Sequence, residues 1–404
     1  MRLKKSPHRA EEQRKGHSYV WGDLLMLYRS ENNSLDPADF ICDGVKENIV
    51  LKRTGQINGQ QFIIKNCSSC FFFLLDHFDS LNIDNVSDSA FIVGPVKRSI
   101  FLRNCMNCKV LVACQQLRMR DCSLCDVYTA CVSVPIIENS SKIRFGPYQL
   151  WYTDLLKNFN DAGLSIFNNN WSEIHDFSKS DMYGDSPNYS LLGPQSHPQK
   201  IFPTPMECVQ MFLKCDALKH LETSLPSVLI DIIKNPVILN YDSINSVVPL
   251  CHRTLTETQL SSICLSINSD QKLSKSFLLM WRDKTDSEGR RLWKNCISLV
   301  QFCEAFYATQ HVLAYTRELE YNSEDLLRIF GKIFSSQPAI NTPMVMLEYH
   351  SYSNLVGSDL RSALAILELD SQKNFFVSDQ LDNTQVQQIL DRINSFTDIQ
   401  MNTG

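Results

Sequence analysis

The sequence predicts a parallel β-helix followed by an α/β domain, on three observations. Segments in the N-terminal half recur every 17–19 residues, each segment alternates apolar and polar side chains, and from Ser274 onward strand-like and helix-like stretches alternate. Short strands stacked at a period near 18 residues are typical of a β-helix, and alternating strands and helices are typical of an α/β layer. We therefore expect four parts: a tail over 1–37, the β-helix over 38–178, a linker with a partly helical insert over 179–272, and the α/β domain over 273–404.

The composition is that of an ordinary soluble protein. Of 404 residues, 44% are hydrophobic and 21% are charged, and the net charge of −5 gives no reason to expect nucleic-acid binding. The longest apolar run, Cys70–Leu75, is far shorter than the roughly 20 residues of a membrane helix. Charged residues rather than an apolar signal region follow the basic start, so we expect a cytoplasmic chain with reduced thiols.

The tail and the linker are less informative. The tail is polar apart from Trp21–Tyr28, which forms either a short docking helix or an ordered stub without function. Residues 178–203 are rich in Ser, Pro, Asn and Gly, which is typical of a linker. Residues 204–272 mix a helical pattern at Met206–Leu221 with prolines and polar turns, and no function is predicted for them.

Five segments carry the repeat of the N-terminal half. They are Ile63–Cys67, Asn82–Val86, Phe101–Cys105, Arg118–Cys122 and Ile136–Ser140. The second residue of each segment is apolar, the third is charged, and the fourth is Asn or Asp. Because neighbouring side chains of a strand point to opposite faces, the second residue should point inward and the third outward. The Asn or Asp marks the turn, where such residues tolerate unusual backbone angles.

The cysteines follow the same repeat. Three Cys-x-x-Cys pairs, which are otherwise typical of zinc sites, occur at equivalent places: Cys67/Cys70, Cys105/Cys108 and Cys122/Cys125. The second segment has Val86 and Ser89 at those places, and Val cannot bind a metal. A buried ladder of packed cysteines therefore explains the pattern better than zinc does, and we expect no metal site.

The outward face of the repeat concentrates arginine. Arg118 is the first residue of its segment and lies on the same outward face as Arg120, with Phe101 and Ile136 on the neighbouring coils and Glu138 beside them. Arginine next to exposed apolar groups is enriched where proteins bind one another. The residues alone leave a second interpretation open, a solvated arginine that pairs with Glu138.

A resemblance to a known family narrows these alternatives. It covers roughly residues 39–178 and is carried by six stretches. They are Gly59–Phe62, Gly94–Lys97, Arg103–Cys105, Ala113–Cys122, Pro135–Glu138 and Asp161–Asn169. Together these stretches resemble the tubulin-cofactor-C domain. The resemblance implies a right-handed β-helix that binds an Arf-like small GTPase in its GTP form and inserts an arginine finger.

The resemblance also implies roles for individual residues. Arg118 is the implied catalytic finger, because a guanidinium is always charged and forks onto phosphate oxygens. The implied nucleotide-facing residues are Arg98, Ser99, Gln115, Gln116 and Leu117, and the implied partner-binding residues are Arg120, Glu138 and Phe177. Arg98 departs from the family, which commonly has a small residue there. The chain needs no cofactor of its own, since the partner holds the GTP and its Mg²⁺.

The resemblance further links such activators to the trafficking of lipidated proteins to the cilium, which implies a place at the ciliary base or the membrane periphery. Its relatives begin Met-Gly-Cys, a signal for dual acylation, whereas this sequence has Arg2 and no cysteine before Cys42. We therefore expect no anchoring of that kind from this start site. The alternative function is a non-catalytic GTPase effector or a tubulin-folding scaffold, with tubulin as a partner.

The C-terminal part shows strand patterns at Ser276–Trp281, His311–Thr316 and Pro343–Tyr349, and helix patterns at 289–308, 323–334 and 356–367. This order favours a sheet with helices on one face. In relatives of the family the last domain resembles nucleoside diphosphate kinase, with a ferredoxin-like sheet. Such kinases need a phosphate-accepting histidine, and the nearest motif here has Val356 in its place. We therefore expect no kinase activity, structural roles for His311 and His350, and a binding scaffold.

Overall fold

The computed structural model describes residues 36–148, 150, 152–178, 187–192, 202, 274–281, 294–307, 311–331, 342–351, 356–369 and 375–402. The predictions for Trp21–Tyr28 and for residues 204–272 lie outside the described residues. None of the described helices is long and apolar enough to cross a membrane.

Thirteen short strands build a parallel solenoid, which confirms the predicted β-helix. They are β1 (Ile41–Asp43), β2 (Ile49–Arg53), β3 (Phe62–Lys65), β4 (Phe71–Leu75), β5 (Leu81–Asp84), β6 (Ala90–Val93), β7 (Val96–Arg103), β8 (Lys109–Arg120), β9 (Asp126–Cys131), β10 (Ile136–Glu138), β11 (Ile143–Pro147), β12 (His175–Asp176) and β13 (Tyr189–Leu191). Helix α1 (Leu155–Asp161) lies in the long connection between β11 and β12. The last strand, β13, pairs with β11 and extends the solenoid to Leu191.

The strands form two sheets that we call front and back. The front sheet has the order β1-β3-β5-β7-β8-β10-β12, and the back sheet has the order β2-β4-β6-β8-β9-β11-β13. Strand β8 belongs to both, because it passes from back to front at Gln115 without an intervening loop. This continuous passage explains why the repeat shortens to 17 residues between Phe101 and Arg118.

The columns of the repeat point as predicted. The second residues of the five segments are at most 1% exposed and pack in the core, which confirms that they point inward: Ile64, Ile83, Leu102, Met119 and Ile137. The fourth residues all have φ between 46° and 56°, the left-handed conformation that Asn and Asp tolerate. Their amides also form a ladder, in which Asn104 Nδ2 donates to Asn85 Oδ1 at 3.1 Å and Asn66 Nδ2 donates to Asp43 Oδ1 at 2.8 Å.

The cysteines of the three Cys-x-x-Cys pairs are buried in the core between the sheets. Their thiols donate to backbone carbonyls, as Cys122 Sγ does to the Arg120 oxygen at 3.3 Å. Burial raises the pKa of Cys42 and of Cys70 to about 12. These two thiols are therefore protonated at neutral pH, as expected of core residues rather than of nucleophiles.

Gly94 lies at a close approach of two coils. A Cβ added there would stand 2.3 Å from the Asp76 carbonyl oxygen and 2.6 Å from the Tyr152 hydroxyl. Because the nearest atom is backbone, Gly94→Ala should lower the free energy of unfolding by about 2 kcal/mol or more, measured by urea denaturation. Gly44→Ala is the control, since its Cβ would meet nothing within 4 Å and it incurs only the cost of its φ of 72°. Equal stability of the two variants would contradict the steric explanation.

The C-terminal domain is a four-stranded antiparallel sheet with order β15-β16-β14-β17. Its elements are β14 (Ser274–Trp281), α2 (Lys294–Tyr307), β15 (His311–Tyr321), α3 (Ser323–Phe330), β16 (Thr342–Ser351), α4 (Val356–Ile366), β17 (Phe375–Val377) and α5 (Asn383–Asn402). The split order, with β16 between β14 and β15, is consistent with the ferredoxin-like expectation. Kinship with nucleoside diphosphate kinase stays a prediction.

The prediction that helices cover one face of this sheet is wrong. Helices α2 and α4 pack on the face that carries Leu278 and Leu347. Helices α3 and α5 pack on the opposite face, around Phe277 and Met346. The physical reason lies in the strands, since β14 is apolar at consecutive positions and such a strand must be covered on both faces. Strand β17 and helix α5 were not predicted.

The two domains meet along β15, the first strand in the order of the C-terminal sheet. The loop after α1 supplies polar groups to that strand: Thr316 Oγ1 donates to the Phe167 carbonyl at 2.6 Å, and the Glu318 amide donates to Asn168 Oδ1 at 2.8 Å. Arg317 donates to Asn170 Oδ1 at 3.2 Å. This loop therefore covers a strand edge that would otherwise present unpaired backbone groups.

Candidate functional site

Arg118 projects from the middle of the front sheet. It is exposed on β8, in parallel register with Phe101 on β7 and Ile136 on β10, both of which are partly buried. Neighbouring strands of a sheet lie about 4.8 Å apart, so the guanidinium rises from a strip of apolar surface. The local cause is the alternation of β8, in which Leu117 and Met119 on either side point into the core.

The other arginines of the front sheet have acidic partners. Arg103 makes two hydrogen bonds to Asp84, at 2.5 and 2.8 Å, and this carboxylate raises the pKa of Arg103. Arg98 lies 3.2 Å from Asp79, and Arg120 lies 3.4 Å from Asp121.

Within the described ranges, the Arg118 side chain makes neither a hydrogen bond nor an ion pair. The interpretation of Arg118 as a partner of Glu138 therefore has no support in the geometry. No described residue occupies the N–H donors of Arg118, so with respect to this part of the chain they are available to an external ligand.

Ser99 and Gln116 stand beside Arg118 as a connected pair. Ser99 Oγ donates to Gln116 Oε1 at 3.1 Å across β7 and β8. This bond orients the Gln116 amide and leaves its NH₂ group as a donor on the surface. Gln115 lies at the passage of β8 between the sheets, where its carbonyl accepts from the Ser133 amide at 3.0 Å.

Two of the predicted nucleotide-facing residues need comment. Leu117 is wholly buried among core residues, so its predicted outward role is corrected. The physical reason is strand alternation, which turns Leu117 inward when Gln116 and Arg118 face the surface. Arg98 is exposed over 71% of its side chain but lies against Asp79, one coil back. An exposed pair of this kind is weak and can open when an anion competes.

Glu138 and Phe177 complete the front surface. Glu138 is exposed on β10, in register with Arg120. The Phe177 amide donates to the Ile137 carbonyl at 3.0 Å, which sets Phe177 beside Glu138 on the next coil. Its ring is 64% exposed and meets the His175 ring edge-on at 4.4 Å between centroids. An aromatic ring this exposed, next to charged side chains, is typical of a protein-binding surface.

We call this set the front surface: Arg98, Ser99, Phe101, Gln115, Gln116, Arg118, Arg120, Ile136, Glu138 and Phe177. It is a flat surface with an available arginine at its centre, an amide on one side, and an acidic and an aromatic residue on the other. Its chemistry suits a protein partner that presents an anion at the Arg118 position. Among the described residues, no three His, Cys, Asp or Glu side chains converge as they would around a metal ion.

The two histidines of the C-terminal domain lie in the interior. His311 is hydrogen-bonded to Ser351 Oγ at 2.9 Å and to the Asp359 carboxylate at 2.6 Å. His350 is hydrogen-bonded to Glu348 at 2.6 Å, and both are buried. The His311 ring thus joins β15 to β16 and to α4, whereas the His350 ring bonds to a residue of its own strand. The structural roles of both histidines stay a prediction.

Comparisons with known proteins define the class. Residues 59–177 match the family model of Tubulin binding cofactor C, so the solenoid is a domain of that type. Protein XRP2 of Homo sapiens is 30% identical over 400 residues, which cover 98% of this chain and 95% of that protein. The chain therefore belongs to the XRP2 family.

Two further relatives match over the solenoid region. Protein XRP2 of Danio rerio is 39% identical over 162 residues, covering 40% of this chain and 42% of that protein. Tubulin-specific chaperone C of Homo sapiens is 29% identical over 168 residues, covering 41% of this chain and 48% of that protein. The chain thus aligns with less than half the length of these two relatives.

Proposed function

We propose that this chain activates a GTP-bound Arf-like small GTPase by inserting Arg118 beside the bound nucleotide. The observation that carries the proposal is the Arg118 side chain: it is exposed, it has no partner among the described residues, and apolar residues flank it in a tubulin-cofactor-C-type domain. An arginine that stays unpaired in the free protein is ready to receive phosphate oxygens without first breaking another ion pair.

The proposed chemistry takes place on the partner, which holds the GTP and its Mg²⁺. Water attacks the γ-phosphorus, the bond to the β–γ bridging oxygen breaks, and negative charge accumulates on the oxygens of the transferring group and the leaving diphosphate. The Arg118 guanidinium forms hydrogen bonds to these oxygens and stabilises the charge. An arginine supplied by a second protein accelerates hydrolysis by about 10³- to 10⁵-fold.

Other residues of the front surface position the partner. Ser99 fixes Gln116 next to Arg118, so that the amide can contact the nucleotide or the loops around it. Arg120 and Glu138 offer opposite charges that set the orientation of the partner, and Phe177 supplies an apolar anchor. Arg98 contributes to the nucleotide side once it leaves Asp79. The proposed cellular setting, delivery of lipidated proteins to the cilium, follows from the family resemblance.

The alternative is a non-catalytic effector or a tubulin-folding scaffold. The identity with tubulin-specific chaperone C favours it, because that name describes a role on tubulin. Both functions use the same front surface, and they differ in what happens to GTP.

Single-turnover hydrolysis separates them. Arf-like GTPases are loaded with GTP, and phosphate release is followed with increasing amounts of the full-length chain. An activator gives a rate that rises with concentration and saturates at orders of magnitude above the intrinsic rate. Saturable binding with an unchanged or slower rate would identify an effector instead and contradict the proposal.

A further inference from the structure

A second column of the solenoid has the left-handed conformation. It runs along the corner between the front and back sheets, three residues after the Asn/Asp column. Its members are Glu47, Ser69, Asp88, Asn107, Leu124 and Lys142, all with φ between 49° and 56°. Five of these six residues are polar or charged, and Asn107 Nδ2 donates to Asp88 Oδ1 at 2.7 Å along the column. Leu124 is the exception.

Leu124 is unfavourable at this position for two independent reasons. A branched apolar residue seldom adopts positive φ, because its Cβ crowds the following carbonyl, and its side chain cannot form the local hydrogen bonds that Asn forms. The side chain is also 51% exposed, so it gains little from burial in the free chain. A solvated corner gives no reason for leucine here.

Met106 is a second apolar residue at the same corner. It is also 51% exposed, and it forms an isolated parallel β-bridge with Ser123 on the adjacent coil. Met106 is therefore a diagonal neighbour of Leu124. The equivalent positions on the five other coils of this bridge column are all polar: Lys46, Ser68, Ser87, Ser123 and Ser141. Two neighbouring coils therefore depart from the repeat in the same direction, from polar to apolar.

The two residues adjoin the front surface. Leu124 follows Arg120 by four residues, which at about 3.5 Å per residue places their Cα atoms at most about 14 Å apart. A protein interface of standard size covers about 800 Å² on each partner, equivalent to a disc of about 16 Å radius. A partner centred on Arg118 and Arg120 therefore reaches this corner.

We propose that Met106 and Leu124 are an apolar extension of the front surface, buried by the same GTPase that receives Arg118. The proposal rests on the proposed function. The unfavourable positive φ of Leu124 is then explained by its contact with the partner, because a strained backbone conformation of this kind persists where the residue serves a function. Because the corner is continuous with Arg120 and Glu138 of the front surface, we assign it to the same GTPase rather than to a second partner.

The test uses two substitutions that restore the residue of neighbouring coils, Leu124→Asn and Met106→Ser. Asn adopts the left-handed conformation readily, and its amide can donate to Asn107 as Asn107 does to Asp88. Leu124→Asn should raise the melting temperature by about 2–4 °C. It should also weaken binding of the GTP-loaded GTPase about tenfold, measured by anisotropy of a fluorescent nucleotide on the partner. Met106→Ser should weaken binding in the same sense.

Ser69→Asn is the matched control. It lies in the same left-handed column, three coils from Leu124, and should leave affinity unchanged. Wild-type affinity in both corner variants would overturn the proposal while leaving the proposed function intact. If the wild-type chain itself does not bind the GTPase, the proposed function fails and this inference fails with it. Loss of affinity in Leu124→Asn with a raised melting temperature supports it, because a folding defect cannot produce that combination.

Discussion

Replacing Arg118 by alanine is expected to reduce stimulated GTP hydrolysis by about 10³-fold or more, equivalent to about 4 kcal/mol of transition-state stabilisation. The affinity for the GTP-bound partner should change by less than about threefold, since the contacts of Arg118 strengthen mainly in the transition state. Because the Arg118 side chain is exposed and unpaired within the described part of the chain, its removal should leave the fold unchanged. Single-turnover rates at saturating chain concentration measure the effect.

Two further variants sharpen this prediction. Arg118→Lys keeps the charge but loses the planar fork, so it should recover only a small part of the rate. Arg120→Ala removes a neighbouring positive charge from the same face and should weaken binding while leaving the saturated rate near the wild-type value. A normal saturated rate in Arg118→Ala would exclude Arg118 as the finger. An equal loss of the saturated hydrolysis rate in Arg118→Ala and Arg120→Ala would indicate that the positive charge of the surface as a whole, rather than Arg118 itself, accelerates hydrolysis.

Replacing Asp76 by alanine is expected to lower the free energy of unfolding by about 3–5 kcal/mol, the largest stability effect in the solenoid. Asp76 is wholly buried, and its Oδ2 accepts from the backbone amides of Gly55, Ile57 and Asn58 at 2.7–3.0 Å. Its Oδ1 accepts from the amide of His77 at 2.9 Å. Without the carboxylate, several buried N–H groups lose their acceptor. Urea denaturation measures the change.

Asp79→Ala is the control for Asp76. Asp79 faces Arg98 in a pair whose side chains are 33% and 71% exposed, and such pairs contribute at most about 1 kcal/mol. The two substitutions remove the same chemical group three residues apart. Similar losses of stability for both would show that burial and amide satisfaction do not explain the role of Asp76.

The solenoid could be predicted from the sequence because each coil repeats the same local pattern of apolar, charged and Asn or Asp residues. Alternation fixes which side chains point inward, and the Asn/Asp column fixes the corner, so both are local properties. The shorter repeat before Arg118 was visible as an offset, but its cause, the continuous passage of β8 at Gln115, depends on pairing with two different coils.

The C-terminal domain was predicted only in part, because which helices pack on each face of its sheet depends on residues far apart in the sequence. Strand and helix patterns gave the order of six elements, whereas the packing of α5 against β14 follows from apolar residues on both faces of that strand. The contact of Thr316 with Phe167 joins residues 149 positions apart. No local pattern indicates such a contact.

The sequence predicted which side chains of the front surface point outward, but it did not predict their ion pairs. Alternation placed Arg118, Arg120 and Glu138 on one face, and the resemblance assigned their roles. Which arginine stays unpaired depends on the acidic neighbours one coil away, such as Asp84 beside Arg103. The departure at Leu124 could have been found by aligning the second corner column, where its neighbours are polar.

The most direct measurement is binding to the GTPase loaded with GDP and aluminium fluoride, which imitates the transferring phosphoryl group. We expect the wild-type chain to bind this form at least about tenfold more tightly than the GDP form, and Arg118→Ala to lose this preference while it still binds the GTP form. Equal stabilisation of the aluminium fluoride complex by wild type and Arg118→Ala would contradict the central claim, that Arg118 acts on the transition state of GTP hydrolysis.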